Sequence, residues 1–305
     1  MTVLEISRLE KGFEKQKVLD GISFTVKEGS IFGFIGKNGA GKTTTMNIIL
    51  GLLKAESGTV KVNGEEVIYG DTKTNRFVGY LPDVPEFYSF FTAREFMQLS
   101  LDVSGTKILN GEQKITELLS MVGLCDSKKR ISKFSRGMKQ RLGIAQALIN
   151  DPLLLICDEP TSALDPVGRK QLLTILEKVK NKTTVIFSTH ILSDVEAICD
   201  EVAILDKGKI VEQGSLKQLK TKLARKKWSV MLETVEEAVK VKEALTETMV
   251  TFNISQKERI VKGEATEDKE AMRSIMGVLT RLSIVPRKIE RTEPTMEDVF
   301  LEAIK

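Results

Sequence analysis

The sequence predicts an α/β fold, in which a mainly parallel sheet carries an inserted helical segment and is followed by a small α+β domain. Two runs, at 153–157 and 183–188, are almost continuously apolar, which is typical of strands buried on both faces of a parallel sheet. Between the early strands and these runs, residues 92–150 show helical periodicity. The chain has 305 residues, which is long for one hydrophobic core, so we expect two domains.

The first domain is expected to begin with strands separated by glycine turns. The strands expected before the helical segment lie at 18–26, 30–35 and 58–64. One helix of that segment is marked by apolar residues at i, i+3, i+4 and i+7, namely Ile115, Leu118, Leu119 and Val122. Two other helices are expected around 96–101 and over 138–149. Strands return at 153–157, 183–188 and 202–205, so this domain is predicted to span 1–216 with its helical subdomain at about 88–150.

The remainder predicts a second, smaller domain over 222–305. A basic stretch at 217–227 marks the boundary, and we interpret it as a linker or solvated helix face in preference to a membrane or nucleic-acid patch. The elements expected next are strand 228–232, helix 235–245, strands 249–255 and 259–264, helix 269–282 and strand 284–290. This β-α-β-β-α-β order is the ferredoxin-like split arrangement. A last helix is expected at 296–304, with Thr295 as its N-cap and Asp298 at the capping-box position.

The role of the second domain stays open between a regulatory ligand-binding module, a brace for a dimer and a cap. Its sequence has no clustered catalytic groups or metal ligands, which favours the brace or the cap.

The composition is that of an ordinary globular protein, with 29% charged and 41% hydrophobic residues. The net charge of +4 is mild and its signs are interspersed, so we expect no stable nucleic-acid partner. Cys125, Cys157 and Cys199 lack metal-ligand spacing and are interpreted as reduced thiols of a cytoplasmic protein. The N-terminus lacks a secretory pattern, and no apolar run approaches the ~20 residues of a membrane-spanning helix. Any membrane role is therefore expected to act through another chain.

A glycine-rich loop at 36–44 lies between an apolar strand and a helix-like pattern. Its spacing, G-x-x-x-x-G-K-T, lets successive backbone N–H groups point inward, because glycine tolerates the positive φ that this needs. Lys42 can then reach the β and γ phosphates of a nucleotide, and Thr43 can offer its hydroxyl to Mg²⁺. The loop therefore predicts nucleotide binding, with these candidate residues: Gly36, Asn38, Gly39, Ala40, Gly41, Lys42, Thr43 and Thr44.

Two further strand ends carry candidate catalytic groups. The apolar run at 153–157 leads into Asp158 and Glu159, where open α/β sheets place their ligand crevice. Asp158 is the candidate to hold Mg²⁺, and Glu159 the candidate to polarise water against the γ-phosphate. His190, the only histidine, follows the next apolar strand and is expected to donate to the γ-phosphate or to order the water. Taken alone, the acidic pair could be an ordinary solvated turn, but the neighbouring phosphate loop favours catalysis.

The segment Phe134-Ser135-Arg136-Gly137-Met138 resembles the L-S-G-G-Q signature of ATP-binding-cassette (ABC) ATPases. A serine and free N–H groups at the start of a helix form a second anion-binding helix end. The resemblance implies that Ser135 and Gly137 contact the γ-phosphate of a nucleotide held by another cassette.

Other positions of the ABC pattern follow in order over residues 1 to about 215. Phe13 resembles the aromatic residue that stacks on adenine. Residues 162–165 match the S-A-L-D turn, in which Asp165 communicates between two nucleotide sites, although Asp165 can also serve as a helix N-cap. The resemblance implies a P-loop NTPase with a RecA-like core and a helical subdomain, with ATP and Mg²⁺ as cofactors.

The sequence also departs from the pattern at three positions. Asp83 occupies the place of the family's loop glutamine, and a carboxylate can contact Mg²⁺ or water but cannot donate as an amide does. Arg136 replaces the first signature glycine, and Met138 replaces the signature glutamine. Such variation, and the ending at 294–301, resemble exporter ATPases that carry a small extra domain.

The resemblance implies the ATP-hydrolysing subunit of a membrane transporter, with exporters favoured. Two cassettes would pair head to tail, and a separate membrane permease would dock on the helical segment, which places the chain peripherally on the cytoplasmic face of the cell membrane. An alternative is a soluble ABC ATPase acting on nucleic acid or the ribosome. Such proteins typically carry a second cassette or a long coiled-coil insertion, and this sequence has neither. A P-loop kinase would leave residues 135–141 unexplained.

Overall fold

A computed structural model describes residues 1–14, 16–104, 110–125, 128–222, 226–248, 253–265, 268–292 and 294–304. The chain folds into two compact units: Met1–Leu216 forms most of the first, and Lys217–Glu302 forms the second. None of the helices among the described residues combines the length and the apolarity that a bilayer crossing requires.

Ten strands and six helices belong to the first unit in the described residues, and α7 follows them. The strands are β1 Thr2–Phe13, β2 Gln16–Lys27, β3 Ile31–Gly36, β4 Ser57–Val62, β5 Glu65–Glu66, β6 Val78–Leu81, β7 Leu154–Asp158, β8 Thr184–Thr189, β9 Glu201–Asp206 and β10 Lys209–Ser215. The helices are α1 Lys42–Ile49, α2 Ala93–Ser104, α3 Gly111–Met121, α4 Arg136–Ala147, α5 Pro166–Val179, α6 Leu192–Ile198 and α7 Leu216–Lys222. Single 3₁₀ turns lie at Lys73–Phe77 and Ile131–Lys133.

The central sheet has the order β10-β9-β3-β8-β7-β6. Its strands run parallel except β10, which pairs antiparallel with β9 at one edge. Every residue of β3, β7 and β8 is buried, which confirms the prediction that continuous apolar runs form strands covered on both faces. Because β3, β8 and β7 are neighbours, their carboxyl ends share one edge of the sheet.

A second sheet, β2-β1-β4-β5, is antiparallel and shares a hydrophobic core with the central sheet. Phe24 of β2 stacks on Phe32 and Phe34 of β3, with ring centroids 5.4 and 5.2 Å apart. Met46 and Ile49 of α1 are buried in the same core. This packing fixes the position of α1, and with it the C-terminal end of the loop that precedes the helix.

Helices α2, α3 and α4 form the helical segment, as the apolar spacing predicted. Ile115, Leu118 and Leu119 of α3 are buried. Helix α4 lies directly against β6, since a Cβ built on Gly143 would be 2.5 Å from Leu81 Cδ1. The helix begins at Arg136, two residues before the predicted start, because Ser135 caps it.

The second unit contains β11 Lys226–Met231, α8 Val235–Thr248, β12 Ser255–Lys257, β13 Ile260–Ala265, α9 Asp268–Arg281, β14 Lys288–Thr292 and α10 Met296–Ala303. Its antiparallel sheet has the order β12-β13-β11-β14, which is the ferredoxin-like arrangement. The unit has a separate core in which Trp228, the only tryptophan, covers Gly263.

Two strands of this unit begin later in the chain than the sequence predicts. The strand expected at 284–290 begins at Lys288, because Pro286 has no N–H to give to a sheet ladder and the pairing starts at Met231 opposite Lys288. Of the strand expected at 249–255, residues 249–252 lie outside the described residues, and β12 starts at Ser255.

The last helix is capped as predicted. Asp298 Oδ2 accepts from the N–H of Thr295 at 2.9 Å, and Thr295 Oγ1 accepts from the N–H of Asp298 at 3.3 Å. The two residues thus satisfy each other's backbone donors in a capping box.

Candidate functional site

The glycine-rich loop connects the end of β3 to the start of α1 with a backbone that requires glycine. Gly41 has φ of 113°, and a Cβ built on it would lie 2.7 Å from Leu19 Cδ2. A Cβ on Gly36 would lie 2.7 Å from the Leu205 carbonyl oxygen. Larger residues at either position would push the loop away from its neighbours, so these glycines shape a cradle of N–H groups at the start of α1.

The Lys42 side chain crosses this loop and is 6% exposed. Its Nζ donates to the carbonyl of Gly36 at 2.7 Å and to that of Lys37 at 3.2 Å. It also lies 3.1 Å from Glu159 Oε1, so the buried ammonium has a carboxylate counter-charge. An arriving phosphate would compete with Glu159 for the same cation.

Thr43 and Asp158 meet beside the loop. Thr43 Oγ1 donates to Asp158 Oδ2 at 2.8 Å, and Ser188 Oγ donates to Asp158 Oδ1 at 2.5 Å. A hydroxyl and a carboxylate are the hard oxygen donors that Mg²⁺ prefers, and Mg²⁺ usually completes its shell with water and substrate phosphates. The pair predicted from the sequence therefore fits this ion.

Ser188 is a functional residue that the sequence analysis did not single out. It lies opposite Asp158 in the parallel pairing of β7 with β8. A hydroxyl directly after the apolar run 185–187 was the available signal, but its partner depends on strand register.

Glu159 and His190 form the third part of the site. Glu159 has a left-handed backbone, with φ of 46°, and its N–H donates to the Ser188 carbonyl at 3.0 Å. A non-glycine residue in that region is held by its surroundings, and such strain concentrates at functional sites. His190 Nδ1 lies 2.8 Å from Glu159 Oε2. Because a carboxylate only accepts, this contact places a proton on Nδ1 and directs the ring.

The structure thus brings together five of the predicted residues at the carboxyl ends of three adjacent strands: Lys42, Thr43, Asp158, Glu159 and His190. This arrangement can bind phosphate oxygens, hold a divalent cation and accept a proton from water.

Ser135 and Asp165 lie at two helix starts. Ser135 Oγ accepts from the N–H of Met138 at 3.2 Å and caps α4. Asp165 Oδ1 accepts from the N–H of Gly168 at 3.0 Å and caps α5, which is the structural role that the sequence had left open. Gly137 lies in the first turn of α4, where a Cβ would meet only Leu164 Cδ2 at 3.7 Å.

Phe13 and Asp83 lie in other surroundings. Phe13 ends β1 with 47% of its surface exposed, and Lys11 Nζ is 5.0 Å from its ring centroid. Asp83 Oδ1 accepts from Ser162 Oγ at 2.9 Å and from Arg136 Nη2 at 3.3 Å. The predicted contact of Asp83 with Mg²⁺ stays a prediction.

Burial raises the pKa values of a tyrosine hydroxyl and two cysteine thiols in this unit. It raises the pKa of Tyr80 on β6 to about 12, with the carboxylates of Asp158 and Asp83 adding to the effect, so this hydroxyl stays neutral. Burial also raises the pKa of the Cys157 and Cys199 thiols. All three cysteines are free.

Asp194 on α6 is a buried acid that the sequence analysis missed. It is 2% exposed, and its Oδ2 lies 3.8 Å from Arg169 Nε. Burial raises the pKa of this carboxyl, while the Thr161 hydroxyl and the charges of Arg169 and His190 partly oppose that effect. The group therefore links α6, which follows His190, to the start of α5.

Replacing Asp194 with Asn is expected to change how stability depends on pH. Because the pKa of Asp194 is higher in the folded state than its ordinary 3.8, the native protein binds more protons above that pH. The contribution of this group to stability then falls as the pH rises through the folded pKa. Thermal unfolding should favour the variant over the parent more at about pH 7 than at about pH 4. A difference in Tm that is constant across this range would contradict the assignment.

Known proteins resemble this chain in sequence and structure. The family described as ABC transporter matches residues 19–162. The ABC transporter ATP-binding protein YxlF of Bacillus subtilis (strain 168) is 37% identical over 303 residues, 99% of each chain. The bacitracin transport ATP-binding protein BcrA of Bacillus licheniformis is 40% identical over 222 residues, 72% of each chain. A solved ATP-binding subunit of an ABC transporter superposes with a TM-score of 0.63 at 32% identity, covering 72% of this chain and 92% of that one.

Proposed function

The chain belongs to the ATP-binding, ATP-hydrolysing proteins of the ABC transporter family, and from that premise we propose that it powers a membrane exporter by ATP-driven pairing with a second cassette. The observation that carries the proposal is the convergence of Lys42, Asp158 and Glu159 on one edge of the sheet. These residues supply a phosphate-binding cation, a metal-binding carboxylate and a base.

Each residue of the site has a proposed role in hydrolysis. Lys42 turns from Glu159 to the β and γ phosphates, which frees the Glu159 carboxylate to accept a proton from the attacking water. His190, held by Glu159, orients that water or donates to the γ-phosphate. Thr43 and Asp158 would hold Mg²⁺, which when bound neutralises charge on the phosphate oxygens.

Further residues are proposed to complete the nucleotide site. Phe13 is half-exposed and can stack on adenine. Ser135 and Gly137 lie at the N-terminus of α4, where backbone N–H groups and the helix dipole favour an anion. We propose that they bind the γ-phosphate held by a second cassette, with Asp165 communicating between the two sites. Asp83 stays a candidate for Mg²⁺ or its water.

A separate membrane permease is the proposed partner of the helical segment. Three aromatic side chains lie together at the surface before α2: Tyr88, Phe90 and Phe91. Tyr88 is 59% and Phe90 60% exposed, and clustered exposed aromatics mark protein interaction sites. Docking there would place the chain peripherally on the cytoplasmic face of the membrane. The similarity to BcrA, whose name describes bacitracin transport, supports an exporter.

The ferredoxin-like unit is proposed to be an accessory domain over 222–305 that braces or caps the cassette over 1–216. Its interior is an apolar core to which both its helices and its sheet contribute side chains, including Trp228, Val261 and Ile275. Such a core can fold without a bound ligand.

Mixing two inactive variants tests the composite site. Lys42→Met removes the phosphate-binding cation, and Gly137→Asp places a negative charge where the partner's γ-phosphate would bind. A Cβ fits at Gly137, and aspartate is favoured in the first turn of a helix, so the second variant should fold normally. Each variant should lack ATPase activity alone, whereas their mixed dimer retains one intact site and should hydrolyse ATP.

The matched control is Gly137→Asn, which has the size of aspartate without its charge and should keep much of the parent ATPase activity. If the mixture of Lys42→Met and Gly137→Asp regains no activity at any ratio, although both chains are folded, the composite site is wrong.

A further inference from the structure

Asp83 joins three segments of the first unit. Its Oδ1 accepts a hydrogen bond at 3.3 Å from Nη2 of Arg136, which lies in the first turn of α4. The same oxygen accepts a hydrogen bond at 2.9 Å from Oγ of Ser162, which lies in the turn that leads from Glu159 to α5. Asp83 itself follows β6, so one carboxylate oxygen connects the end of a strand with the first turn of α4 and with the turn after Glu159.

The backbone at Asp83 is also attached to α4. Gln140 is 1% exposed, and its Nε2 donates to the Asp83 carbonyl at 2.5 Å. One turn farther along, Gly143 packs against the same segment, since a Cβ built on it would lie 2.5 Å from Leu81 Cδ1 and 3.5 Å from Pro85 Cβ. Because the backbone is held by these buried contacts, the carboxylate has a defined position from which to hold Arg136.

Arg136 lies between Ser135 and Gly137, the two residues proposed to meet the γ-phosphate of a second cassette. A contact from its guanidinium therefore influences how the first turn of α4 is oriented. Ser162 similarly stands between Glu159 and Asp165 in the turn after β7. The contacts of Asp83 with Arg136 and Ser162 can thus fix the orientation of the first turn of α4 relative to the Glu159 turn.

Exposure limits what this contact can add to stability. The side chain of Arg136 is 46% exposed and that of Asp83 is 48% exposed. Ion pairs in such positions contribute little to the free energy of unfolding, because water screens them. An effect on the geometry of catalysis is consistent with this weak contact, since small displacements of catalytic groups change rates strongly.

We propose that Asp83 is a positioning residue, which uses Arg136 and Ser162 to align the first turn of α4 with the Glu159 turn for hydrolysis. The inference rests on the proposed function, in which α4 completes the site of another cassette. Asp83 and Arg136 also stand at two positions where the chain departs from the ABC pattern, and here the two side chains contact each other.

A double-mutant cycle with charge exchange tests the proposal in the full chain. The variants are Asp83→Ala, Arg136→Ala, the double replacement by Ala, the exchange Asp83→Arg with Arg136→Asp, and Ser162→Ala. The readouts are kcat, KM for ATP, the Mg²⁺ concentration for half-maximal activity, and Tm. Lys139→Ala is the matched control, because it removes a positive charge from α4 but none of the contacts to Asp83.

The expected result is a loss of kcat with KM for ATP and Tm nearly unchanged. Each single replacement by Ala should lower kcat about three- to fivefold, a size set by a half-exposed pair, and the double replacement should be no worse than either single one. The charge exchange should recover kcat above both single variants of the pair, and Lys139→Ala should match the parent.

Two outcomes would overturn the positioning role alone. One is parent kcat in both Asp83→Ala and Arg136→Ala. The other is a raised Mg²⁺ requirement in Asp83→Ala that Arg136→Ala does not share, since that result makes Asp83 a metal ligand. If the parent chain neither hydrolyses ATP nor associates when ATP is added, the proposed function and this inference both fail.

Discussion

Replacing Glu159 with Gln is expected to reduce the ATPase rate by about 10²- to 10⁴-fold, the range that general bases contribute. The amide keeps the shape of the side chain, and its oxygen can still accept from His190. It lacks the basicity to take a proton from water. It also lacks the charge that holds Lys42 at 3.1 Å, so the cation becomes more available to phosphate. ATP binding should therefore persist or strengthen while turnover stops.

The variant should accumulate as a dimer in gel filtration when ATP and Mg²⁺ are present, because bound nucleotide is no longer consumed. Glu177→Gln on the exposed side of α5 is the control for loss of one negative charge. Hydrolysis at the parent rate in Glu159→Gln would remove Glu159 from the role of base.

Lys42→Met is expected to weaken ATP binding by at least about 100-fold, since truncating one member of a buried charge pair costs several kcal/mol. Methionine replaces the buried stem of the lysine, so the packing of α1 is largely kept. The substitution leaves the Gly36 carbonyl and the Glu159 carboxylate without the ammonium that both contact. The phosphate cradle then contains an uncompensated negative charge, which repels the nucleotide.

Calorimetric titration with ATP and Mg²⁺ measures this loss. Lys37→Met removes the same charge from an exposed side chain of the same loop and should weaken binding far less. Equal affinities in the two variants would show that the Lys42 ammonium has no specific role.

Much of the candidate site was predictable because its chemistry lies in short segments. The loop at 36–44 specifies its own backbone through glycine, and the apolar run before Asp158 places that residue at a strand end. From the rules of parallel sheets we expect these strand ends to lie at the same edge of the sheet. The structure confirms it, since β3, β8 and β7 are adjacent.

Elements with weaker local signals were displaced or missed. The strand expected at 284–290 begins only at Lys288, because Pro286 has no N–H to donate to a sheet ladder and the pairing with β11 starts after it. Asp194 gave no signal in the sequence, because its importance arises from burial and from the approach of Arg169, 25 positions earlier in the chain.

The sequence by itself determined the α/β fold class, the phosphate loop and the acidic strand end, because each depends on periodicity or spacing within about ten to twenty residues. It also determined the family, because several such short motifs follow one another in the order of the ABC pattern. Only the tertiary structure decided that Lys42 is paired with Glu159, that Ser188 holds Asp158, and that Asp83 meets Arg136 and Ser162. These partners lie 30 to 117 positions apart in the chain. Strand order, register and helix packing bring them together, and no local pattern encodes a distance between such segments.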